Sequence, residues 1–392
     1  MTSSYLVSAA RTPIGKFLGG LSTLPAADLG AVAIKAALER AAWPPANVDE
    51  VIMGNVLSAG QGQAPARQAA LGAGLPETVA AVTVNKVCGS GLKAVMLADQ
   101  AIRAGDARAI VAGGMESMSR APYLLAGSRE GWKFGDQKVV DSMIHDGLWC
   151  AFEDSHMGVS ADYIADKCEV SRADQDEFAA SSHQKATAAV AAGKFAAELA
   201  AVTVPGRKGD TLVEADEGPR PDSSAKSLAR LRPAFSGEGS VTAGNASQLS
   251  DGAAAVLVVD EATAHEVDSP VKARIVATAT SGVAPKDIFI APVSAMEKVL
   301  AKAELSVADI DLFELNEAFA AQSLACLRAL GIDAEKTNVH GGAIALGHPI
   351  GASGARVLVT LLYALADRGL QRGLASLCLG GGNAVAIVVE RA

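Results

Sequence analysis

The chain has 392 residues, half of them apolar, with aromatics at only 4% and a net charge of −9. That length can bury a large core and implies two or three domains, while the acidic balance argues against general nucleic-acid binding. No stretch approaches the roughly 18 uninterrupted apolar residues of a transmembrane helix, and the opening MTSSYLVSAARTPIG lacks the order of a signal peptide, so the cytoplasm is the expected location.

In chain order, the first 118 residues alternate strands and helices. Leu29, Val32, Ala33 and Ala36 form a helical stripe that Pro44 and Pro45 end. Val51 to Met53 and Val79 to Val84 read as buried strands. A helix is expected from about Gly89 to Ala104, and a strand from Ala109 to Ala112, closed by Gly113 and Gly114. Residues 119 to 245 look different. They hold Trp132, Trp149, many turn residues and a helical patch over Arg172 to Ala192, as suits a cover over a pocket. The last part returns to the earlier logic: a helix over Ala295 to Ala303, a strand over Asp311 to Leu315, a helix over Gly351 to Ala366, and a strand over Leu374 to Leu379 before three glycines. EVIMGN (Glu50 to Asn55) overlays DLFELN (Asp311 to Asn316), and CGSGLKAV (Cys88 to Val95) overlays GASGARVL (Gly351 to Leu358). This is read as an internal duplication of two α/β halves.

The five cysteines are Cys88, Cys150, Cys168, Cys326 and Cys378. Their odd count and wide spacing argue against a disulfide framework. With no C-x-x-C pair, no H-E-x-x-H and scattered histidines, no metal site is expected. Cys88 in VCGSG falls at a strand-to-helix turn, where free N–H groups and the helix dipole favour a thiolate and a developing oxyanion. His348, in LGHPIGASG, is a base for a thiol proton. Cys378, at the end of a buried strand, could exchange a proton with a substrate carbon. Asn316 ends a strand and could position a water or donate to an oxyanion; such asparagines also simply cap turns. Two glycine-framed thiols and a histidine point to acyl transfer through a thioester.

Taken together and in this order, VCGSG, GMESMS (Gly114 to Ser119), NEAFA and GGAIALGHPIGASGAR resemble the thiolase family over nearly the whole chain. The resemblance implies an α/β fold of two βαβαβαββ halves in a five-layered αβαβα core with an inserted loop domain. Its boundaries are expected at 1–118 for the first half (completed by part of 246–268), 119–245 for the loop domain over the coenzyme A site, and 269–392 for the second half. HMG (His156 to Gly158) and TAGNAS (Thr242 to Ser247) resemble the biosynthetic branch, so the implied reaction is a ping-pong Claisen condensation of two acetyl-CoA to acetoacetyl-CoA and CoA, and its reverse. Cys88 would carry the acetyl group, His348 would activate it, and Cys378 would deprotonate the second acetyl-CoA. His348 and a water on Asn316 would stabilise the enolate, and the N–H groups of Cys88 and Gly380 the tetrahedral intermediate. Contacts to acyl group and coenzyme A are implied for Leu148, His156, Met157, Arg220, Ser227, Leu231, Phe235, Ala243, Ser247, Ala318 and Phe319. Arg220, Lys226, Arg230 and Arg232 face one acid, Asp222, in a patch suited to the phosphates of coenzyme A or equally to a solvated face.

Coenzyme A is substrate and product in this reading, and no cofactor is implied. A homotetramer, a dimer of dimers, follows from the resemblance of Ala121 to Val140 to the family's tetramerisation loop. Two stretches depart from the family's usual text: GPRPDSSAKS around Arg220, and FIAP (Phe289 to Pro292) in place of a more glycine-rich segment. They leave the adenine-end contacts and the preferred acyl length open. The alternatives are a degradative 3-ketoacyl-CoA thiolase with broader chain length and a non-catalytic acyl-CoA-binding protein with a thiolase-like body. A β-ketoacyl synthase would pair its cysteine with two histidines. A dinucleotide enzyme would need the glycine fingerprint that the early strands lack.

Overall fold

A computed structural model describes residues 3–392. The first half runs β1 (Ser4–Arg11), α1 (Ala26–Arg40), β2 (Glu50–Gly54), α2 (Pro65–Gly72), β3 (Ala80–Val84), α3 (Ser90–Ala104) and β4 (Ala109–Ser117). The covering segment contributes α4 (Met157–Lys167) and α5 (Arg172–Ala191), and β5 (Ser250–Asp260) then closes the first sheet. The second half is β6 (Ala273–Gly282), α6 (Ala291–Ala303), β7 (Leu312–Leu315), α7 (Ala320–Leu330), α8 (Ser353–Arg368), β8 (Arg372–Leu379) and β9 (Asn383–Arg391). The strand order is β7-β8-β9-β6-β1-β5-β4-β2-β3.

Each half repeats one pattern. β2 lies parallel to β3 and β4, and β7 lies parallel to β8. The remaining third strand of the second half shrinks to one parallel bridge between Phe313 and Thr337. β1 and β6 carry bulges at matching places, after Leu6 and after Ile275, and the halves meet edge to edge where Tyr5 pairs with Arg274 and Leu6 with Ala273. The duplication therefore stands, with its strand overlay moved by one residue. Asp49 accepts from the N–H groups of Arg108 and Ala109, and Asp311 accepts from those of Gln371 and Arg372, so Asp311 corresponds to Asp49 rather than to Glu50.

Both faces of each sheet are covered, giving five layers, αβαβα. On β5, Ala253, Ala255, Leu257 and Val259 face the outer core with α1, while Ala254, Val256 and Val258 face the central core with α3 and α8. The period-two split explains why these strands read as continuous apolar runs. The central helices cross at matching glycines. A Cβ on Gly91 would stand 2.7 Å from the Ala355 nitrogen, and one on Gly354 would strike the Leu92 backbone. Gly113 and Gly114 do not end β4 as expected. They pair with Ala255 and Ala254, and their bare α-carbons let the strand run on to Ser117 against the backbone of Ala254 and Gly351.

The covering segment is locked to the core by charge. Arg11, fully buried at the end of β1, donates from Nε to Glu198 at 2.6 Å and from both Nη atoms to Asp216 at 2.7 and 2.9 Å. Glu198 also accepts from Thr360 on α8 at 3.2 Å. Removing one partner strands buried charge, so Arg11→Ala is expected to lower stability by about 3–5 kcal/mol. Urea unfolding with an unchanged midpoint would contradict this.

Candidate active site

The first cysteine sits in a turn held by its neighbours. The Ser90 hydroxyl accepts from the Lys86 N–H at 2.8 Å and donates to the Val87 carbonyl at 2.6 Å, which fixes the start of α3. Val87 takes φ +48°, a left-handed conformation that a β-branched residue adopts only under constraint, at a cost of about 1–3 kcal/mol. Cys88 follows, partly open to the cavity. Burial pushes its thiol up to about 12; the N–H groups of Cys88 itself and of Gly380 pull it down, and Glu116 adds to the rise. The expected helix-terminus activation is thus outweighed by desolvation, and the resting sulfur is a neutral thiol. The same two N–H groups converge on the Cys88 sulfur. A Cβ on Gly380 would press on Val87 at 3.1 Å.

His348 follows Gly347, and its N–H donates to the Gln248 carbonyl at 3.0 Å. Its Nδ1 lies 2.6 Å from the Ser353 hydroxyl, which donates to the Pro349 carbonyl at 2.9 Å. With the hydroxyl hydrogen so committed, the network assigns the proton to Nδ1 and leaves Nε2 with a free lone pair. Burial, helped by the Arg356 charge, lowers the imidazole to about 3, so it is neutral at physiological pH. Asn316, just after β7, brings Nδ2 to 3.5 Å from both ring nitrogens, a contact rather than a directed bond. Among the described residues, its buried Oδ1 has no hydrogen-bond partner. Cys378 lies in β8 at 1% exposure, and its thiol is held well above the usual range by burial first, then by nearness to Cys88 and Cys326.

One cavity of about 390 Å³ gathers Cys88, Cys378, His348 and Gly380. Leu148, His156, Met157, Phe235, Ala243, Ser247, Ala318 and Phe319 also line it, as the sequence suggested. His156 accepts from the Gly158 N–H at 3.0 Å and stacks on Phe235 with ring centroids 4.7 Å apart. Arg220, Ser227 and Leu231 do not line it. The Arg220 N–H donates to His183 at 3.1 Å, Ser227 is engaged with Ser224 in a helix cap, and Leu231 packs at Gly244, beside Ala243.

Other lining residues carried no sequence signal: Met143, Ile144, Gly147, Gln248, Leu249, Ile288 and Ile350. Phe289, also in the lining, stands out in the sequence only as a departure from the family's usual text.

Glu116, inside GMESMS, carries no sequence signal for the role that its contacts reveal. One carboxylate oxygen accepts from Asn55 Nδ2 at 2.8 Å and the Leu57 N–H at 3.2 Å; the other accepts from the N–H groups of Val56 at 3.0 Å and Gly351 at 2.9 Å. It thus braces the Val56–Leu57 segment, on the wall beside Cys88, to the turn after His348. All four contacts are donors, so a protonated Glu116 would have no acceptor for its hydrogen there. Burial still pushes its carboxyl up to about 7.

Family profiles settle the lineage. The profile described as "Thiolase, N-terminal domain" matches residues 4–262, and "Thiolase, C-terminal domain" matches 269–391. The chain is a thiolase. Over their full lengths, this thiolase is 55% identical to the proteins named acetyl-CoA acetyltransferase of Pseudomonas aeruginosa and Cupriavidus necator, each alignment covering 392 residues and 100% of both chains. The crystal structure of the Bacillus anthracis acetyl-CoA acetyltransferase superposes with a TM-score of 0.97 at 40% identity, covering 100% of this chain and 99% of that one.

The brace yields a prediction. Glu116→Gln would turn an amide donor toward two N–H groups. We expect kcat to fall about a hundredfold, the cost of a small misplacement of reacting groups, with KM changed far less. In the wild type, kcat should fall as pH drops through about 7, where Glu116 gains a proton, and this acidic limb should vanish in the variant. An E116Q profile identical to wild type contradicts the assignment.

Proposed function

We propose that this thiolase condenses two molecules of acetyl-CoA into acetoacetyl-CoA and CoA, and cleaves acetoacetyl-CoA with CoA in reverse. The observation that carries the reading is the shared cavity: two thiols, one neutral imidazole and two convergent N–H groups inside apolar walls. The full-length relatives named acetyl-CoA acetyltransferase support the substrate.

His348 Nε2 takes the Cys88 proton as the sulfur attacks the acetyl carbonyl. The N–H groups of Cys88 and Gly380 receive the developing oxyanion, a contribution of about 3 kcal/mol per donor. CoA leaves as a thiolate that takes the proton of Cys378, His348 keeps its Nε2–H, and acetyl-Cys88 remains. A second acetyl-CoA enters, and Cys378 removes a proton from its methyl carbon. The enolate oxygen is held by the His348 Nε2–H and by a water on Asn316, whose buried Oδ1 lacks a partner among the described residues. The carbanion attacks acetyl-Cys88, and the departing sulfur takes its proton back from His348. Two thiols that start neutral suit this order, because each ionises only when a bound acyl-CoA shares its charge or takes up its proton.

The remaining contacts belong to coenzyme A. Ser247 and Phe235 border the pantetheine arm, His156 and Met157 the acyl end, and the basic stretch from Arg220 to Arg232 the phosphates. Coenzyme A acts as substrate and product. Self-association into a tetramer is part of the proposal. Leu125, Trp132, Phe134 and Val139 are exposed along 121–140, with Phe134 at 99%, an apolar surface of the kind that marks an interface. Cytoplasmic action is proposed as well; among the described residues no helix is long and apolar enough to cross a membrane.

Cys88→Ala should abolish acetyl-enzyme in intact-mass spectra, and acetylation at another residue would refute the nucleophile. Cys378→Ala should still acetylate but lose condensation by about 10²–10⁴-fold, the range for removal of a general base. Near-normal condensation would place the base elsewhere. Light scattering should give a tetramer, and a monomer would remove that part of the proposal.

A further inference from the structure

The turn that aims His348 begins as a helix that stops short. Ala343–Leu346 makes a single turn, and the Gly347 N–H donates to the Ala343 carbonyl at 2.9 Å. In a continuing helix the next bond would run from the His348 N–H to the Ile344 carbonyl. Gly347 breaks away instead at φ +115°, and the His348 N–H points elsewhere. The carbonyls of Ile344 and Ala345 are left at a helix end, where donors must come from outside the helix.

Gln248 is spliced into the missing bond. Its Nε2 donates to the carbonyls of Ile344 at 3.1 Å and Ala345 at 3.0 Å, and its own carbonyl accepts from the His348 N–H at 3.0 Å. One residue thus grips the turn at both ends. Ser250 reinforces the second grip: its hydroxyl accepts from the His348 N–H at 3.2 Å and donates to the Gln248 carbonyl at 2.9 Å. The same amide reaches the Gly218 carbonyl of the covering segment at 3.2 Å. There a Cβ on Gly218 would strike the Ala345 oxygen, so segment and turn lie main chain on main chain. All three oxygens are acceptors, which assigns the nitrogen of the amide to face them. Gln248 and His348 border the same cavity.

We propose that Gln248 is a positioning residue for His348: its side chain stands in for the helix's own hydrogen bond and sets how the imidazole enters the cavity. The carbonyl that holds the His348 N–H is present whatever residue stands at 248. The donors to Ile344, Ala345 and Gly218 belong to the side chain alone. Without them His348 stays anchored, but the turn that leads into it is free to shift, and the ring shifts with it. The inference rests on the proposed reaction, in which His348 takes the Cys88 proton in one half and holds the enolate in the other. A displaced ring slows both halves.

The test uses Gln248→Met, which keeps length and bulk but donates nothing, and Gln248→Ala in case the first fails to fold. In thiolysis of acetoacetyl-CoA, kcat per folded site should fall by up to about a hundredfold, the cost of a small misplacement of a reacting group, with KM for coenzyme A changed far less. Acetylation of Cys88 by acetyl-CoA, followed by intact mass, and exchange of the acetyl-CoA methyl hydrogens with D2O should slow by similar factors. A lower melting temperature with kcat per folded site unchanged would make Gln248 merely structural. A change in KM alone would make it a coenzyme A contact, and slowing of one half-reaction alone would place its effect elsewhere than at His348. Each of these overturns the proposal. A wild type that neither cleaves acetoacetyl-CoA nor acetylates Cys88 would instead overturn the function on which it rests.

Discussion

Desolvation governs the site. Both thiols and the imidazole lie where charge is costly, so Cys88 and Cys378 are pushed up, His348 is pushed down, and all three rest neutral. A thiolate waiting in such a cavity would be unstable and open to side reactions. In the proposed reaction a proton moves only when an acyl-CoA supplies a place for the charge, and two backbone N–H groups receive it. The walls set this electrostatic threshold, so the apolar residues of the covering segment are as much a part of the chemistry as the groups that react.

The duplicated fold explains how distant residues meet. α3 and α8 enter the centre as a matched pair, and their leading turns carry Cys88 and His348. The first half invests strain at Val87 to aim its sulfur; the second invests a glycine-flanked turn to aim its imidazole. Glu116 joins the two, accepting from Val56 and Leu57 on one side and from Gly351 on the other. The halves have diverged in what they present while keeping how they present it.

Motif residues at element ends were legible in the sequence because their type and their flanking glycines carry the signal. Cys88, His348, Cys378 and Gly380 come together as read, and eight of the expected acyl and coenzyme A contacts line the same cavity. Ile350 and Met143 were illegible because an apolar residue facing a cavity looks like one facing a core. Glu116 was missed because its work is long-range hydrogen bonding, which no local pattern encodes. The strand overlay slipped by one residue because Asp311 had been aligned on Glu50, the adjacent acid; only hydrogen bonding identifies Asp49 as its counterpart. Gly113 and Gly114 were read as stops, although a glycine inside a strand equally marks a neighbour's close approach.

The contact of Gly91 with α8 and of Gly354 with α3 has a mechanical consequence. Where main chain rests on main chain, the spacing of the two helices is set by atoms common to every amino acid. Drift in the outer layers can reshape the surface and the partners it meets without altering that spacing. The molecule thus has a fixed pivot at its centre, and the relative placement of its two working turns is insulated from change at the periphery.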